Sequence, residues 1–93
     1  MNIGVLIVDI HIPLNNSLKG KRMVLQSLKR RIRTKFNVSV SETDNQDLWQ
    51  RAHLSIAIIG SDKRLINATL SAVKKFILRE SRIEVLDYQL EMI

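Results

Sequence analysis

The chain has 93 residues, no cysteine and a formal net charge of +6, with 15 Lys and Arg against nine Asp and Glu. This length fits one domain spanning residues 1–93, and the absence of cysteine excludes disulfide frameworks, thiolate metal sites and thiol catalysis. No segment has the roughly 18 uninterrupted apolar residues that a membrane span needs, so we expect a soluble, cytoplasmic protein.

The first element is predicted to be a strand. Residues 2–12 are dense in Ile, Val and Leu without helical periodicity, which is typical of a central strand with apolar side chains on both faces. The segment has no basic n-region and no small-residue cleavage pattern, and Pro13 ends it. We therefore interpret it as a strand and not as a signal peptide.

Residues 18–35 are predicted to form an amphipathic helix, because apolar residues recur at helical spacing and Asn16 or Ser17 can cap its start. Residues 19–35 hold eight Lys and Arg and no acid, and the chain without these eight charges has a net charge of −2. At about 100° per residue, five of the cations share one sector opposite the apolar stripe. These five residues, the basic ridge, are Lys19, Arg22, Lys29, Arg30 and Arg33.

The basic ridge indicates a surface for a polyanion such as RNA, and a merely solvated helix face is the alternative. Solvated helices normally interleave acids at i,i+4, whereas neighbouring cations repel one another by roughly a few tenths of a kcal/mol per pair. An anionic partner would relieve this repulsion, so we give polyanion binding as much weight as solvation.

Four further elements follow in the chain. Residues 36–41 alternate strictly between apolar and polar, which predicts a strand with Phe36, Val38 and Val40 on its dry side. After a polar loop, residues 52–60 predict a third strand. Asp62 is expected to cap a second helix that ends near Glu80. The apolar stripe of that helix is Ile66, Leu70, Val73 and Ile77.

A last strand over residues 82–90 completes the order βαββαβ. Right-handed crossovers then give an α+β, ferredoxin-like split βαβ fold, with strand order 4-1-3-2 and both helices on one face of the sheet. The other face stays open, and an apolar strip on it predicts a homodimer. A reversed register or a covering terminus is the alternative. The strip consists of Ile3, Val5, Ile7, Ala57 and Ile59.

The two histidines are not expected to form a site. We expect the first and third strands to run parallel, which places His11 and His53 at opposite ends of the sheet, roughly 25 Å apart. Each histidine is then a hydrogen-bonded surface residue, and neither a metal nor a cofactor is predicted. Asp44, Asp47 and Glu42 lie close in sequence, but loop solvation explains them better than a cation site.

A possible loop site combines Lys21, Asp47, Trp49 and Arg51. Lys21 points near the apolar side of its helix, so its ammonium must reach the loop after the first strand or pair with Asp9 or Asp47. The Trp49 ring could stack on a nucleobase or close the sheet end over the core, and we prefer packing. The middle strands lack the open-face aromatics of RNA-recognition domains. RNA would therefore be bound through contacts between cations of the first helix and the RNA phosphates.

An enzyme is the least favoured class. The sequence shows no nucleophile–base pair and no oxyanion-hole motif, although a site assembled by the fold from Asp9, His11, Ser17 and Lys21 is left open.

Several segments together resemble the YlxP-like family of small bacterial proteins of unknown function: residues 6–13, 17–22, 36–40 and 47–52. The resemblance implies a ferredoxin-like fold and a gene often placed beside those for a transcription factor, an initiation factor and a ribosome-binding factor. It implies no activity. Gly20, and Gly60 with Ser61, depart from the usual family residues.

Our leading hypothesis is a non-catalytic module that associates with structured RNA or the ribosome through the basic ridge and dimerises through the open sheet face. The alternative hypothesis is a ligand-sensing or protein-adaptor domain that acts as a homodimer without nucleic acid.

Overall fold

A computed structural model describes residues 1–93 of the chain. Its elements follow the predicted order βαββαβ, and the strands form one sheet in the order β2-β3-β1-β4, as predicted. The ferredoxin-like α+β fold is therefore confirmed. The elements are β1 Asn2–His11, α1 Leu18–Lys35, β2 Ser39–Asp44, β3 Arg51–Gly60, α2 Lys63–Leu78 and β4 Glu84–Met92.

Strands β1 and β3 run antiparallel, so the prediction that they run parallel is wrong. The crossover through α1 makes β1 and β2 parallel, and β3 returns from β2 in the opposite direction. Asp9 consequently pairs with His53, and His11 pairs with Arg51. The two histidines lie at the same end of the sheet and not at opposite ends.

The core lies between the sheet and the two helices, which pack on the same face. Every second residue along most of β1 and β3 is buried there, because side chains alternate across a strand. The predicted apolar stripe of α2 is buried against the same core. Sixteen apolar side chains form this core, among them Leu6, Val8, Leu28, Ile56 and Leu70.

Gly4 in β1 lets α2 lie close to the sheet. A Cβ atom at this position would lie 2.5 Å from Ile66 Cγ2 and 2.9 Å from Leu70 Cδ1. Both distances are well inside van der Waals contact, so any side chain at position 4 would push against α2.

Both helices begin at the caps that the sequence predicts. Ser17 Oγ accepts a hydrogen bond from the backbone N–H of Gly20 at 3.0 Å, and Asp62 Oδ1 accepts one from that of Arg64 at 2.9 Å. Each cap satisfies an N–H group that the first turn leaves without a carbonyl partner. Neither helix is both long enough and apolar enough to cross a membrane.

The alternating pattern predicted a strand that begins at Phe36, but strand β2 begins at Ser39. Phe36 still belongs to the end of α1, because its backbone N–H donates to Ile32 O at 2.8 Å. The side chains of Phe36 and Val38 nevertheless pack against the core. The alternation identified the dry side correctly but not the start of the ladder.

Strand β4 also begins later than predicted, at Glu84 rather than at Arg82. Its ladder with β1 shifts register after Asp9, which pairs with Asp87. This bulge interrupts the alternation on β4.

The apolar strip lies on the open face of the sheet, where the sequence placed it. Ile3 pairs with Ile59 and Val5 with Ala57 across β1 and β3. Ile59 is 63% exposed, and the other members of the strip are half-buried. The helices therefore leave this strip without a cover.

Candidate functional site

The basic ridge runs along the outer side of α1. Four of its five cations are exposed and Lys29 is half-buried. None of the five has a carboxylate within ion-pair distance. Positions 19 and 33 are separated by roughly 21 Å along the helix axis at about 1.5 Å per residue. The ridge thus presents unpaired positive charge over about four turns.

Arg33 has a second task within the fold. Its guanidinium donates to the backbone O of Val40 at 2.8 Å, which ties the end of α1 to the edge strand β2. A guanidinium has five N–H donors, so others remain for a ligand. A substitution of Arg33 would nevertheless change folding as well as charge.

The two helices together form a cationic layer. They hold most of the 15 Lys and Arg residues, eight in α1 and four in α2, and none of the nine Asp and Glu. The acids lie in the strands and connecting segments, and the register places Asp9, Asp87 and Glu91 on the open face. The helix side and the sheet side of the molecule therefore differ in sign of charge.

Lys21 is buried, with 1% of its surface exposed. Its ammonium donates to Asn45 O at 2.6 Å and to Leu48 O at 2.8 Å, and it lies 2.8 Å from Glu42 Oε2. The carbonyl oxygen of Gln46, at 3.4 Å, is a third and weaker acceptor, so three carbonyls match its three N–H donors and Glu42 is an ion-pair partner beside them. An internal ion pair was expected, but the partner is Glu42 and neither of the two aspartates suggested. Lys21 therefore stabilises the β2–β3 loop. Its ammonium is not exposed to a ligand at the possible loop site.

Trp49 does not close the core, so the preferred interpretation of this residue is wrong. Its side chain is 54% exposed, and that of Leu48 is 48% exposed. With Asp47, Gln50 and Arg51 they line a shallow cavity of about 470 Å³. The ring is available to a partner.

Hydrogen bonds to the β1–α1 connection fix the backbone around Trp49. Asn15 Nδ2 donates to Trp49 O, and Gln50 Nε2 donates to Asn15 O at 2.9 Å. The Ile12 N–H donates to Gln50 O at 2.8 Å. The same connection carries Leu14, which is 98% exposed at a φ of 65°. We name these two joined segments, residues 12–17 and 45–50, the loop platform.

Gly20 makes this arrangement possible. A Cβ atom at position 20 would collide with Asn15 Oδ1, and the Asn15 side chain is the one that bridges the two segments. A glycine at position 20 therefore fits the local fold of the platform.

Polar side chains at one end of the open face pair with one another. Arg51 donates to both carboxylate oxygens of Asp9, at 3.0 and 2.8 Å. His53 Nε2 lies 3.4 Å from Asp9 Oδ1, and His11 Nδ1 lies 3.3 Å from Glu84 Oε2. No group of three His, Asp or Glu side chains is placed to hold a metal ion. Each histidine thus lies beside a carboxylate.

The residues left open for an assembled enzyme site have separate structural tasks. Ser17 caps α1, Lys21 is occupied by the β2–β3 loop, and Asp9 is paired with Arg51. In addition, Asp9 and His11 lie on the open face of the sheet, whereas Lys21 is buried on its helix side.

The sequence did not single out Glu80, whose side chain is only 6% exposed. Arg82 donates to it through Nε and a terminal nitrogen, both at 2.9 Å, and through its backbone N–H at 3.0 Å. The Arg82 hydrogen bonds, with a smaller one from Arg31, outweigh burial and lower the pKa of Glu80 to about 2. Arg31 is 49 residues away in sequence, so no local pattern could predict this cluster.

Solved structures share the fold. The designed protein Foldit4 superimposes with a TM-score of 0.56 at 14% identity, over 100% of this chain and 97% of that chain. A C-terminal segment of the alpha subunit of aIF2 from Pyrococcus abyssi gives 0.52 at 20% identity, over 97% of this chain and 48% of that chain. At these identities the likeness shows the fold alone.

Sequence comparison identifies the family. The “Uncharacterized protein YlxP” of Bacillus subtilis (strain 168) is 44% identical over 61 residues, which is 66% of this chain and 66% of that protein. Residues 3–90 match the family described as “Protein of unknown function (DUF503)”. The resemblance to YlxP-like proteins is thereby confirmed, and the chain belongs to this family of proteins of unknown function.

Proposed function

We propose that this protein is a non-catalytic module that binds structured RNA through phosphate contacts from the basic ridge. The supporting observation is a row of five cations on one side of α1, none of them paired with an acid. Such a surface favours a polyanion. The gene neighbourhood that the family resemblance implies makes ribosomal RNA, in the cytoplasm, the first RNA to test.

The open sheet face does not offer the aromatic surface of RNA-recognition domains. The only tyrosine, Tyr88, pairs with Val8 and so lies on the helix side of the sheet. Lys74 Nζ covers its ring at 4.2 Å. RNA contact through stacking on the sheet therefore lacks its usual side chains, which leaves helix-phosphate contacts as the mode that we propose.

The first test is the salt dependence of binding. Five phosphate contacts predict that log affinity falls by about 3.5 to 4.5 per log unit of salt. Between about 50 and about 200 mM salt, this slope corresponds to a loss of roughly 100- to 500-fold in affinity. Fluorescence anisotropy with a labelled ribosomal RNA fragment measures it directly, and a shallow slope would contradict the proposal.

Two variants with the same change in net charge test the location of the contact. The ridge variant spares Arg33, which has a structural bond, and replaces three exposed cations with glutamine: Lys19, Arg22 and Arg30. The control variant replaces three exposed cations of α2 with glutamine: Lys63, Arg64 and Lys75. We expect the ridge variant to reduce the steepness of the salt slope by about 2 to 3 and the control variant to reduce it less. Equal effects would show that net charge, and not the ridge, governs binding.

We further propose that the apolar strip on the open face forms a homodimer. Ile59 is 63% exposed at one end of the strip, next to half-buried neighbours. A second copy of the strip would remove these side chains from water. Ile59→Glu should convert a dimer to a monomer in sedimentation velocity. Leu78→Glu, at a 55% exposed position on α2, is the matched control and should leave the dimer intact. A monomeric wild-type protein would refute this part of the proposal.

The alternative is a ligand-sensing or protein-adaptor homodimer that uses the loop at Asp47, Trp49 and Arg51 without nucleic acid. The exposed Trp49 ring and its cavity favour it. This alternative predicts a binding activity that the ridge variant leaves unchanged.

A further inference from the structure

Trp49 is the one aromatic residue whose ring has no partner within the chain. Phe36 and Phe76 stack edge to face with centroids 5.8 Å apart, and Tyr88 is covered by Lys74. Trp49 is 54% exposed and lines a cavity of about 470 Å³. Exposing a large apolar ring without a partner is unfavourable in water, so a ligand that covers it would gain free energy.

The backbone at Trp49 lies next to the first turns of α1, where the basic ridge begins. Lys21, which stands between Lys19 and Arg22 in the first turns of α1, donates to the carbonyl oxygen of Leu48. Trp49 is the next residue and accepts a hydrogen bond from Asn15, just before α1. A nucleic-acid strand that follows the ridge toward its N-terminal end therefore reaches the loop platform.

Hydrogen bonds within the chain hold the backbone of the loop platform without a ligand. The buried ammonium of Lys21 fixes the carbonyls of Asn45 and Leu48, and the Ile12 N–H fixes that of Gln50. A ligand that binds here does not have to order the loop, which lowers the entropic cost of binding.

The charges around the ring favour a neutral group over a phosphate. Asp47 lines the same cavity, and the cationic end of Arg51 is already paired with Asp9. A phosphate on the ring would face an uncompensated carboxylate, whereas the flat face of a base carries no charge. We infer that Trp49 stacks on one unpaired nucleobase adjacent to the duplex whose phosphates the ridge contacts. This inference rests on the proposed RNA-binding function.

Three RNAs that share one duplex test the inference. The first is blunt, the second carries one unpaired 3′ adenosine, and the third carries the same 3′ nucleotide without its base. Trp49 is the only tryptophan, so its fluorescence reports stacking directly. We expect quenching by the second RNA alone, and tighter binding of the second than of the third by roughly 5- to 150-fold.

The outcomes separate the two proposals. Steep salt dependence with equal affinity for all three RNAs, and no quenching, would overturn the stacking inference and leave the ridge function standing. Failure of all three RNAs to bind would overturn both.

Variants of the platform complete the test. Trp49→Ala should abolish the preference for the base without changing affinity for the blunt duplex, and Trp49→Phe should retain part of the preference. Leu14→Ala, at a 98% exposed position of the same platform, is the matched control and should retain all of it. Circular dichroism checks that each variant is folded. An equal loss in Leu14→Ala and Trp49→Ala would overturn stacking in favour of an unspecific apolar contact.

Discussion

Replacing Lys21 with methionine should destabilise the protein strongly, although the substitution looks mild. Methionine keeps most of the apolar stem but removes the ammonium. The carbonyls of Asn45 and Leu48 would then lose their donor, and the Glu42 carboxylate would lose its counter-charge.

The size of the effect follows from burial. Removing one partner of a fully buried ion pair typically costs about 3 to 5 kcal/mol. The Glu42 side chain is 20% exposed, so water can partly solvate its charge. We therefore expect the lower end of this range, a loss of about 3 kcal/mol in the free energy of unfolding, which is a large share of the stability of a small domain.

Urea unfolding followed by far-ultraviolet circular dichroism measures this loss. Tryptophan fluorescence of the folded state provides a second signal, because Trp49 directly follows the carbonyl that Lys21 binds. Arg22→Met is the matched control. Arg22 is exposed and without an acidic partner, so its substitution should change stability by less than about 0.5 kcal/mol. A loss below about 1 kcal/mol for Lys21→Met would refute the view that its ammonium holds the loop.

Three further predictions concern stability. The pKa of Glu80 falls from about 4.5 to about 2 on folding, mainly because Arg82 hydrogen-bonds its charged form. A lowered folded pKa stabilises the protein above about pH 4.5, and this contribution is lost as the pH falls from about 4.5 to about 2. Since the Arg82 side chain is 46% exposed, we expect about 2 kcal/mol, and urea titrations from about pH 6 to about pH 2.5 should show a flatter acid limb in Glu80→Gln. Gly4→Ala should cost about 1 to 3 kcal/mol because its Cβ would press on α2, and an unchanged thermal midpoint would contradict this packing. Ser17→Ala should cost about 1 kcal/mol through loss of the α1 cap, measured by the same urea unfolding, and no change there would show that the cap is dispensable.

Local signals made the helices predictable. A cap at Ser17 and an apolar stripe at 3.6-residue spacing are properties of neighbouring residues, and α1 has the predicted bounds. The start of β2 was harder to predict, because Phe36 fits the alternating pattern while its backbone N–H still completes the last hydrogen bond of α1. A pattern of side chains shows which face is dry, but it does not show which backbone groups pair first.

Strand direction and polar partners depend on the path of the chain in space. The alternation of β1 and β3 would be the same in parallel or antiparallel pairing, so the error over His11 and His53 could be corrected only from the predicted topology, in which β3 returns from β2 and runs antiparallel to β1. Similarly, Lys21 and Arg22 are adjacent cations in the sequence, yet one is buried by the β2–β3 loop and the other is free. The ridge was predictable from spacing, whereas the exposure of Trp49 was not, because it depends on how two loops meet.

The separation of charge between the helix layer and the open face gives the molecule an overall electric dipole moment. Near a polyanion this moment exerts a torque that turns the helix layer toward the anion before contact, so that more encounters begin in a productive orientation. The torque acts within about one Debye length, roughly 8 Å at physiological ionic strength. The same torque turns the open face away from the polyanion. A second copy of the protein can therefore still reach this face after the first copy has bound the polyanion.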